Sequence, residues 1–419
     1  MKKYIKFVNC TNMSTKISQL APRKLKKIEI IKGISVSITH CGLKKNNKED
    51  LILIKLDKPA DILGVFTKSK TPGEPVIWNK SIIKNGKVSV ILVNSGNANV
   101  FNGSSGKKSL IKIVNKLSEK LGIPKEEVFI GSTGVIGEPL DERKIIKKIP
   151  FLIANLKNDS NSWLRASKAI MTTDTFAKTH SEKLKVGNNV LINGIAKGSG
   201  MINPNMATML SFIFTNAQFD SKLFKSKFYE TVDKTFNSIT VDSDTSTSDM
   251  VLFFSIKNEE TKLSKSQKKD FFIHLEKLMT ELATMIVKDG EGASKFIRVK
   301  VKGARSFNDA KVIAKSIANS PLVKTAIAGS DANWGRVVMA VGKSGVKIDP
   351  KKISIKFGKL TILTPPKTFL PKNLSKIDKY LNKKEVEITV SIGSGKFEWT
   401  IYTCDFTQKY ITINKDYRT

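Results

Sequence analysis

A chain of 419 residues with 40% hydrophobic side chains has the apolar content of a folded protein, which excludes whole-chain disorder. Its formal net charge of +35 raises nucleic acid or an anionic membrane as partners. The arginines are few, however, and lysines are scattered through nearly every segment, so the excess reads as compositional drift, not as a phosphate-binding footprint.

The three cysteines, Cys10, Cys41 and Cys404, are too dispersed for a disulfide framework or a CxxC metal site, and they fit a reducing, cytoplasmic setting. No apolar run reaches the ~18 residues that span a bilayer. Neither a membrane nor a nucleic-acid partner is expected. The opening MKKYIKFVNCTNM lacks an apolar core with a cleavage site, so residues 1–20 read as a short extension or mobile arm.

In chain order, LILIKL at 51–56 and VSVILVN at 88–94 are β-branched, apolar runs of strand length, with a turn at Pro72-Gly73 between them. NSGNANVFNG at 94–103 packs small and amide residues into a tight loop. SLIKIVNKLSEKLGIP then carries apolar residues at helical spacing and stops at Gly122 and Pro124.

Further on, Phe224, Phe228, Val232 and Phe236 form a helical stripe, and Leu275, Leu278, Leu282 and Met285 a second one. FIRVKVKG, KISIKFGKLTIL and EVEITVSIG alternate as strands do. Strands and helices mixed throughout predict an α/β fold, a layered sandwich of packed sheets covered by helices.

The segment 194–217, GIAKGSGMINPNMATMLSFIFTNA, joins a glycine-rich loop to a strand through one threonine. A threonine hydroxyl is a poor nucleophile until a base lies beside it, and a threonine at a new N-terminus carries that base as its own α-amine. The amine titrates near ~8 and is partly neutral at cellular pH. Scission between Ala207 and Thr208, by attack of the Thr208 hydroxyl on the Ala207 carbonyl, would create such a terminus. The competing signals are weak. His40, His180 and His274 are the only histidines, and HExxH, GxSxG and P-loop motifs are missing.

AKGSGMINPNMATML, with NSGNAN at 94–99, GSTGVIG at 131–137, IMTTDT at 170–175, TVDSDTSTSD at 240–249, DGEGASK at 289–295, KTAIAGSDANWGR at 324–336 and NKDYRT at the end, closely resembles the glutamate N-acetyltransferase family, also called ornithine acetyltransferase. The resemblance runs from about Ala21 onward. It implies a self-cleaving enzyme of N-terminal-nucleophile type, matured into an α chain of 1–207 and a β chain of 208–419, assembled two of each. It also implies ping-pong transfer of acetyl from N2-acetylornithine to L-glutamate in arginine biosynthesis.

Carried over position by position, the resemblance makes Thr208 the nucleophile and gives the oxyanion hole to Thr133 and Gly134. Substrate contacts fall to Thr172, Lys197, Glu291, Asn414 and Thr419. Lys197 suits an α-carboxylate, and Glu291 is read as a partner for the ornithine side-chain ammonium. No metal or cofactor is implied, and acetyl-CoA is left open as a second donor that would make the enzyme bifunctional. Asp331, Asn333, Trp334, Gly335 and Arg336 read as a structural or supporting loop. Two rival readings stand beside this one: a self-processing aminopeptidase of related architecture, and a basic nucleic-acid-binding protein.

Overall fold

The computed structural model describes residues 17–45, 47–184, 189–203, 209–218, 221–256, 261, 263–365, 368–369 and 371–415. Ala207, Thr208, Thr419 and most of the 1–20 extension lie outside these residues.

The larger unit contains strands β1 (Ile34–Thr39), β2 (Leu51–Phe66), β3 (Lys87–Asn97), β4 (Val128–Val135), β5 (Lys178–Lys183), β6 (Leu191–Lys197), β7 (Leu210–Thr215) and β8 (Met250–Ser255). Its helices are α1 (Glu74–Ile82), α2 (Gly103–Leu121), α3 (Glu142–Ala154), α4 (Ser160–Ala169), α5 (Ser221–Lys234) and α6 (Lys265–Lys288).

β2 is the hinge of the design. The run expected at 51–56 continues to Phe66, and its register against β3 shifts between Lys55 and Ala60. Before the shift β2 pairs with β1 and β3; after it β2 keeps β3 at Ala60 and Asp61 and pairs with β8 from Asp61 to Phe66. β2 thereby joins the two halves of one eight-stranded sheet, β1-β2-β3-β4 and β2-β8-β7-β6-β5, which fold over each other as two layers.

Strand alternation then sorts the side chains into layers. Ile52, Ile54, Ile91 and Val93 meet Phe212, Phe214, Leu252 and Phe254 between the two sheet layers, with the Phe214 and Phe254 rings stacked 4.6 Å apart. Their sequence neighbours point outward. Leu51, Leu53, Val90 and Leu92 pack under α2 and α3, while Ile192, Ile213, Val251 and Phe253 pack under α5 and α6.

Both expected helical stripes face this last layer, where Phe224, Phe228 and Val232 meet Leu275, Leu278 and Leu282. α6 starts with a reciprocal capping box between Ser264 and Gln267, and α2 ends at Gly122, whose φ of 63° suits glycine. The layers are therefore helix, sheet, sheet, helix, as the α/β reading expected.

The three alternating segments near the C-terminus do not join the sandwich. They build a second sheet of β9 (Phe296–Ala304), β10 (Ser354–Phe357), β11 (Leu360–Thr364), β12 (Thr368–Phe369), β13 (Glu385–Ser391) and β14 (Phe397–Cys404), in the order β12-β11-β10-β13-β9-β14. Helices α7 (Phe307–Ala318), α8 (Pro321–Ala328), α9 (Trp334–Gly342) and α10 (Leu374–Leu381) accompany it around a separate apolar core. From β14 the chain turns through Asp405, which accepts from the Ser294 and Lys295 amides. It ends, among the described residues, in α11 (Gln408–Lys415).

Candidate active site

A cavity of about 240 Å³ opens where the ends of β4 and β6 meet the loop after α6 and the C-terminal α11. Thr133, Gly134, Thr172, Lys197, Glu291 and Asn414 all line it. Five separate stretches of the sequence are thus brought to one place.

The NSGNAN segment holds the wall at Thr133 and Gly134. Gly96 stands opposite Gly134 in the parallel β3–β4 ladder. A Cβ on Gly134, where φ is 129°, would run into the Gly96 backbone, so only glycine permits this approach. Asn94 accepts from Ser132 Oγ at 2.6 Å and donates to Asn97 O at 2.8 Å. Asn97 in turn accepts from the Asn99 amide at 2.8 Å. These short amide side chains fix the turn because they bond to backbone two or three residues away. Val100 is buried against Gly73.

Behind the cavity lies a fully buried ionic cluster that sequence reasoning missed. Lys178 on β5 donates to Asp174 Oδ1 at 2.7 Å and to Asp289 Oδ2 at 2.6 Å. Asp174 also accepts from the Thr172 amide at 3.0 Å and the Gly198 amide at 2.6 Å. Asp289 accepts from the Thr175 amide and hydroxyl, and its carbonyl accepts from Ser199 Oγ. The cluster therefore ties the Thr172 loop, the end of β6 at Lys197 and the loop of Glu291 into one frame.

Burial pushes the Asp174 carboxyl up, but the Lys178 and Lys197 ammonium groups outweigh it and hold Asp174 well below the usual carboxylate range. Asp289 lacks the second lysine, and burial pushes it up. Burial also lowers Lys197, with Asp174 opposing that shift. A buried lysine facing a cavity with part of its countercharge behind it is built to receive an anion.

Glu291 sits across the cavity. Burial raises its pKa, while Asn414 and Thr173 donate to it, Asn414 Nδ2 reaching Oε2 at 2.7 Å. Gly200 lies so close to this carboxylate that any Cβ there would collide with it. The C-terminal α11 folds back over the site and brings Asn414 to it. Two further residues reinforce this side. Asp242 accepts from the Met201 and Ile202 amides at 2.6 and 2.9 Å, and Tyr410 Oη stands 3.4 Å from its carboxylate.

Ala207, Thr208 and Thr419 lie outside the described residues. Met209 and Leu210, directly after Thr208 in sequence, line a smaller cleft of about 30 Å³ together with Thr133, Lys197 and Asp249. The histidines are elsewhere. His40 bonds to the Lys48 carbonyl, and His180 and His274 converge on Glu182. The 331–336 loop is structural: Arg336 donates to the Leu322 carbonyl, Asn333 to Asp331, and Asp378 receives the Ala332 amide. Among the described residues no helix is long and apolar enough to cross a membrane.

The missed groups lie inside motifs already singled out, IMTTDT, TVDSDTSTSD and DGEGASK, or close to them. Their signal was an acidic residue among small polar ones in a chain otherwise rich in lysine.

The ArgJ family matches over residues 35–419. The "arginine biosynthesis bifunctional protein ArgJ" of Bartonella henselae is 44% identical over 411 residues, covering 97% of this chain and all of the relative. The protein of the same name from Mesorhizobium japonicum is 44% identical over 414 residues, with the same coverage of both. A crystal structure of arginine biosynthesis bifunctional protein argJ from Bacillus halodurans shares 36% identity at a TM-score of 0.46, covering 49% of this chain and 98% of that one. The chain belongs to the ArgJ family.

Proposed function

We propose that the chain is a bifunctional acetyltransferase of arginine biosynthesis, moving acetyl from N2-acetylornithine to L-glutamate and also accepting acetyl-CoA as donor. The observation that carries the reading is the convergence of Thr133, Gly134, Thr172, Lys197, Glu291 and Asn414 on one cavity in a member of a family whose relatives are named for arginine biosynthesis.

Thr208 is the nucleophile, freed by attack of its own hydroxyl on the Ala207 carbonyl. It takes the acetyl group as an ester, with its α-amine as base. The Thr133 hydroxyl and Gly134 amide face the oxygen on which negative charge develops. Lys197 pairs with the α-carboxylate of the amino acid, and Glu291, steadied by Asn414, takes the ornithine side-chain ammonium. Thr172 and Thr419 complete the binding set.

The products of scission, 1–207 and 208–419, stay together and assemble two of each in the cytoplasm. Association is supported by strand pairing across the cut: β6 with β7, and β2 with β8. The aminopeptidase reading is not favoured by the family, and no feature of the cavity calls for nucleic acid.

The test is a denaturing gel with N-terminal sequencing, beside assays with each donor. Wild type is expected as two bands, one beginning at Thr208, and Thr208→Ala as a single inactive band. An intact wild-type chain that still transfers acetyl would overturn the mechanism. Transfer from acetylornithine without any from acetyl-CoA would limit the enzyme to one activity.

A further inference from the structure

One buried lysine outside the cavity is unused by the transfer described above. Lys324 opens the KTAIAGSDANWGR stretch, sits in α8 and is 3% exposed. Its ammonium donates to Thr403 Oγ1 at 2.8 Å and to the Cys404 carbonyl, and stands 5.9 Å from the centre of the Phe406 ring. Its backbone carbonyl accepts the Phe406 amide at 3.4 Å. None of these partners carries a charge, and burying an ammonium among neutral groups is costly. Such an arrangement calls for an explanation in terms of what it holds.

It holds the turn from β14 into α11. Across that turn Thr407 Oγ1 donates to the Gly292 carbonyl at 2.7 Å, and Gly292, where φ is 72°, leaves no room for a Cβ beside the Tyr410 amide. α11 itself has eight residues and buries none of them. A helix so short does not persist unaided. Its place is therefore set by the turn that leads into it and by the one face it turns to the cavity.

Phe406, Tyr410 and Asn414 recur every four residues and share that face. The Phe406 and Tyr410 rings lie 4.5 Å apart. Asn414 Nδ2 reaches the Tyr410 carbonyl at 3.1 Å and Glu291 Oε2 at 2.7 Å, and both Tyr410 and Asn414 line the cavity. A continuous run of contacts leads from Lys324 to Glu291.

We propose that Lys324 is a positioning residue for substrate binding: by anchoring the turn between β14 and α11 it sets how α11 reaches over the cavity, and so fixes Asn414 against Glu291. This rests on the reading above, in which Glu291 takes the ornithine side-chain ammonium. Lys324 touches no substrate. It acts through Phe406, Tyr410 and Asn414.

The geometry decides where its effect falls. Glu291 and Asn414 hold the far end of the substrate, away from the acetyl carbonyl at which bonds change. A misplaced α11 therefore weakens ground state and transition state alike, and the loss appears in KM. A residue that mattered for folding alone would leave fewer active molecules, with kcat lowered and KM untouched.

The test is Lys324→Met, which keeps an unbranched side chain and removes the ammonium. KM for acetylornithine is expected to rise on the order of 10-fold, the worth of one hydrogen bond to a charged group, with kcat unchanged. Added to Asn414→Ala, the same substitution should raise KM no further, because both act on one contact. Effects that multiply, or a fall in kcat at wild-type KM, overturn the proposal. Phe406→Leu, at a half-buried ring, breaks the relay without touching the lysine and serves should Lys324→Met not fold. It should show the same KM shift, and a wild-type KM there overturns the proposal too. Amide hydrogen exchange over residues 408–415, followed from the millisecond range, is a readout independent of activity. Faster exchange in Lys324→Met supports the proposal, and an unchanged rate overturns it. A wild-type chain that does not turn over acetylornithine would instead refute the reading on which this one rests.

Discussion

The two sheet systems of this molecule are filled by different rules. The second sheet closes over Ile297, Val299, Val301, Ile355, Ile388 and Val390, an interior of aliphatic side chains. The sandwich has equally apolar layers, but at its rim it buries Asp174, Lys178, Lys197, Asp249, Asp289 and Glu291 within one neighbourhood. Burying ionised groups costs several kcal/mol each unless they are paired. The second unit buries charge too, at Lys295, Lys324 and Asp405, but none of these lines the cavity.

Three substitutions sharpen that contrast. The largest effect is expected from Lys178→Met, which leaves Asp174 and Asp289 facing each other without their shared cation. Breaking a buried pair in this way costs about 3–5 kcal/mol, read as a fall in the denaturation midpoint. Because the same cluster orders the Thr172 and Lys197 loops, acetyl transfer should fall with it. Full activity at reduced stability would show that the cluster is structural only.

Next comes Ile388→Ala in β13, fully buried in the second sheet. The cavity it leaves should cost about 2–5 kcal/mol. At a temperature where the variant is folded, kcat should match wild type, since no residue of this core lines the site. A proportionate loss of kcat would mean that the two systems are coupled.

The smallest effect concerns pH. Glu182 accepts from His180, His274, Lys277 and Lys26. Burial raises its pKa, but these four partners outweigh it and bring the pKa down to about 2. A carboxylate whose folded-state pKa is depressed contributes stability above its unfolded value near ~4.3, and loses it as pH falls toward about 2. Glu182→Gln should therefore be less stable than wild type at pH 6, with the gap closing by pH ~2. A gap that does not depend on pH would contradict this assignment.

Much of the sandwich was legible because LILIKL and VSVILVN are apolar runs of strand length and four-residue stripes in α5 and α6 mark the faces those helices bury. The extension of β2 was hidden by Asp57 and Lys58, polar residues that look like a strand end but occupy the crossing between the two layers. The separate second sheet was hidden for another reason: β9 pairs with β13 and β14, and such distant pairing leaves no local trace.

At the site, motif resemblance named six of the residues that line the cavity: Thr133, Gly134, Thr172, Lys197, Glu291 and Asn414. It passed over Asp174, Lys178, Asp242, Asp249 and Asp289, because a charged residue in a strongly charged chain carries no mark of its own burial. Only the assembled structure separates Lys178, enclosed between carboxylates, from the many lysines in water.

The interleaved order β2-β8-β7-β6 has a practical consequence. Two strands encoded after position 208 are clamped between two encoded before it, with no seam along which the halves could slide apart. If the chain is cut as proposed, diluting the protein should therefore neither release one polypeptide nor allow exchange with labelled copies. Each half produced without the other would display bare hydrogen-bonding edges, the state from which chains precipitate.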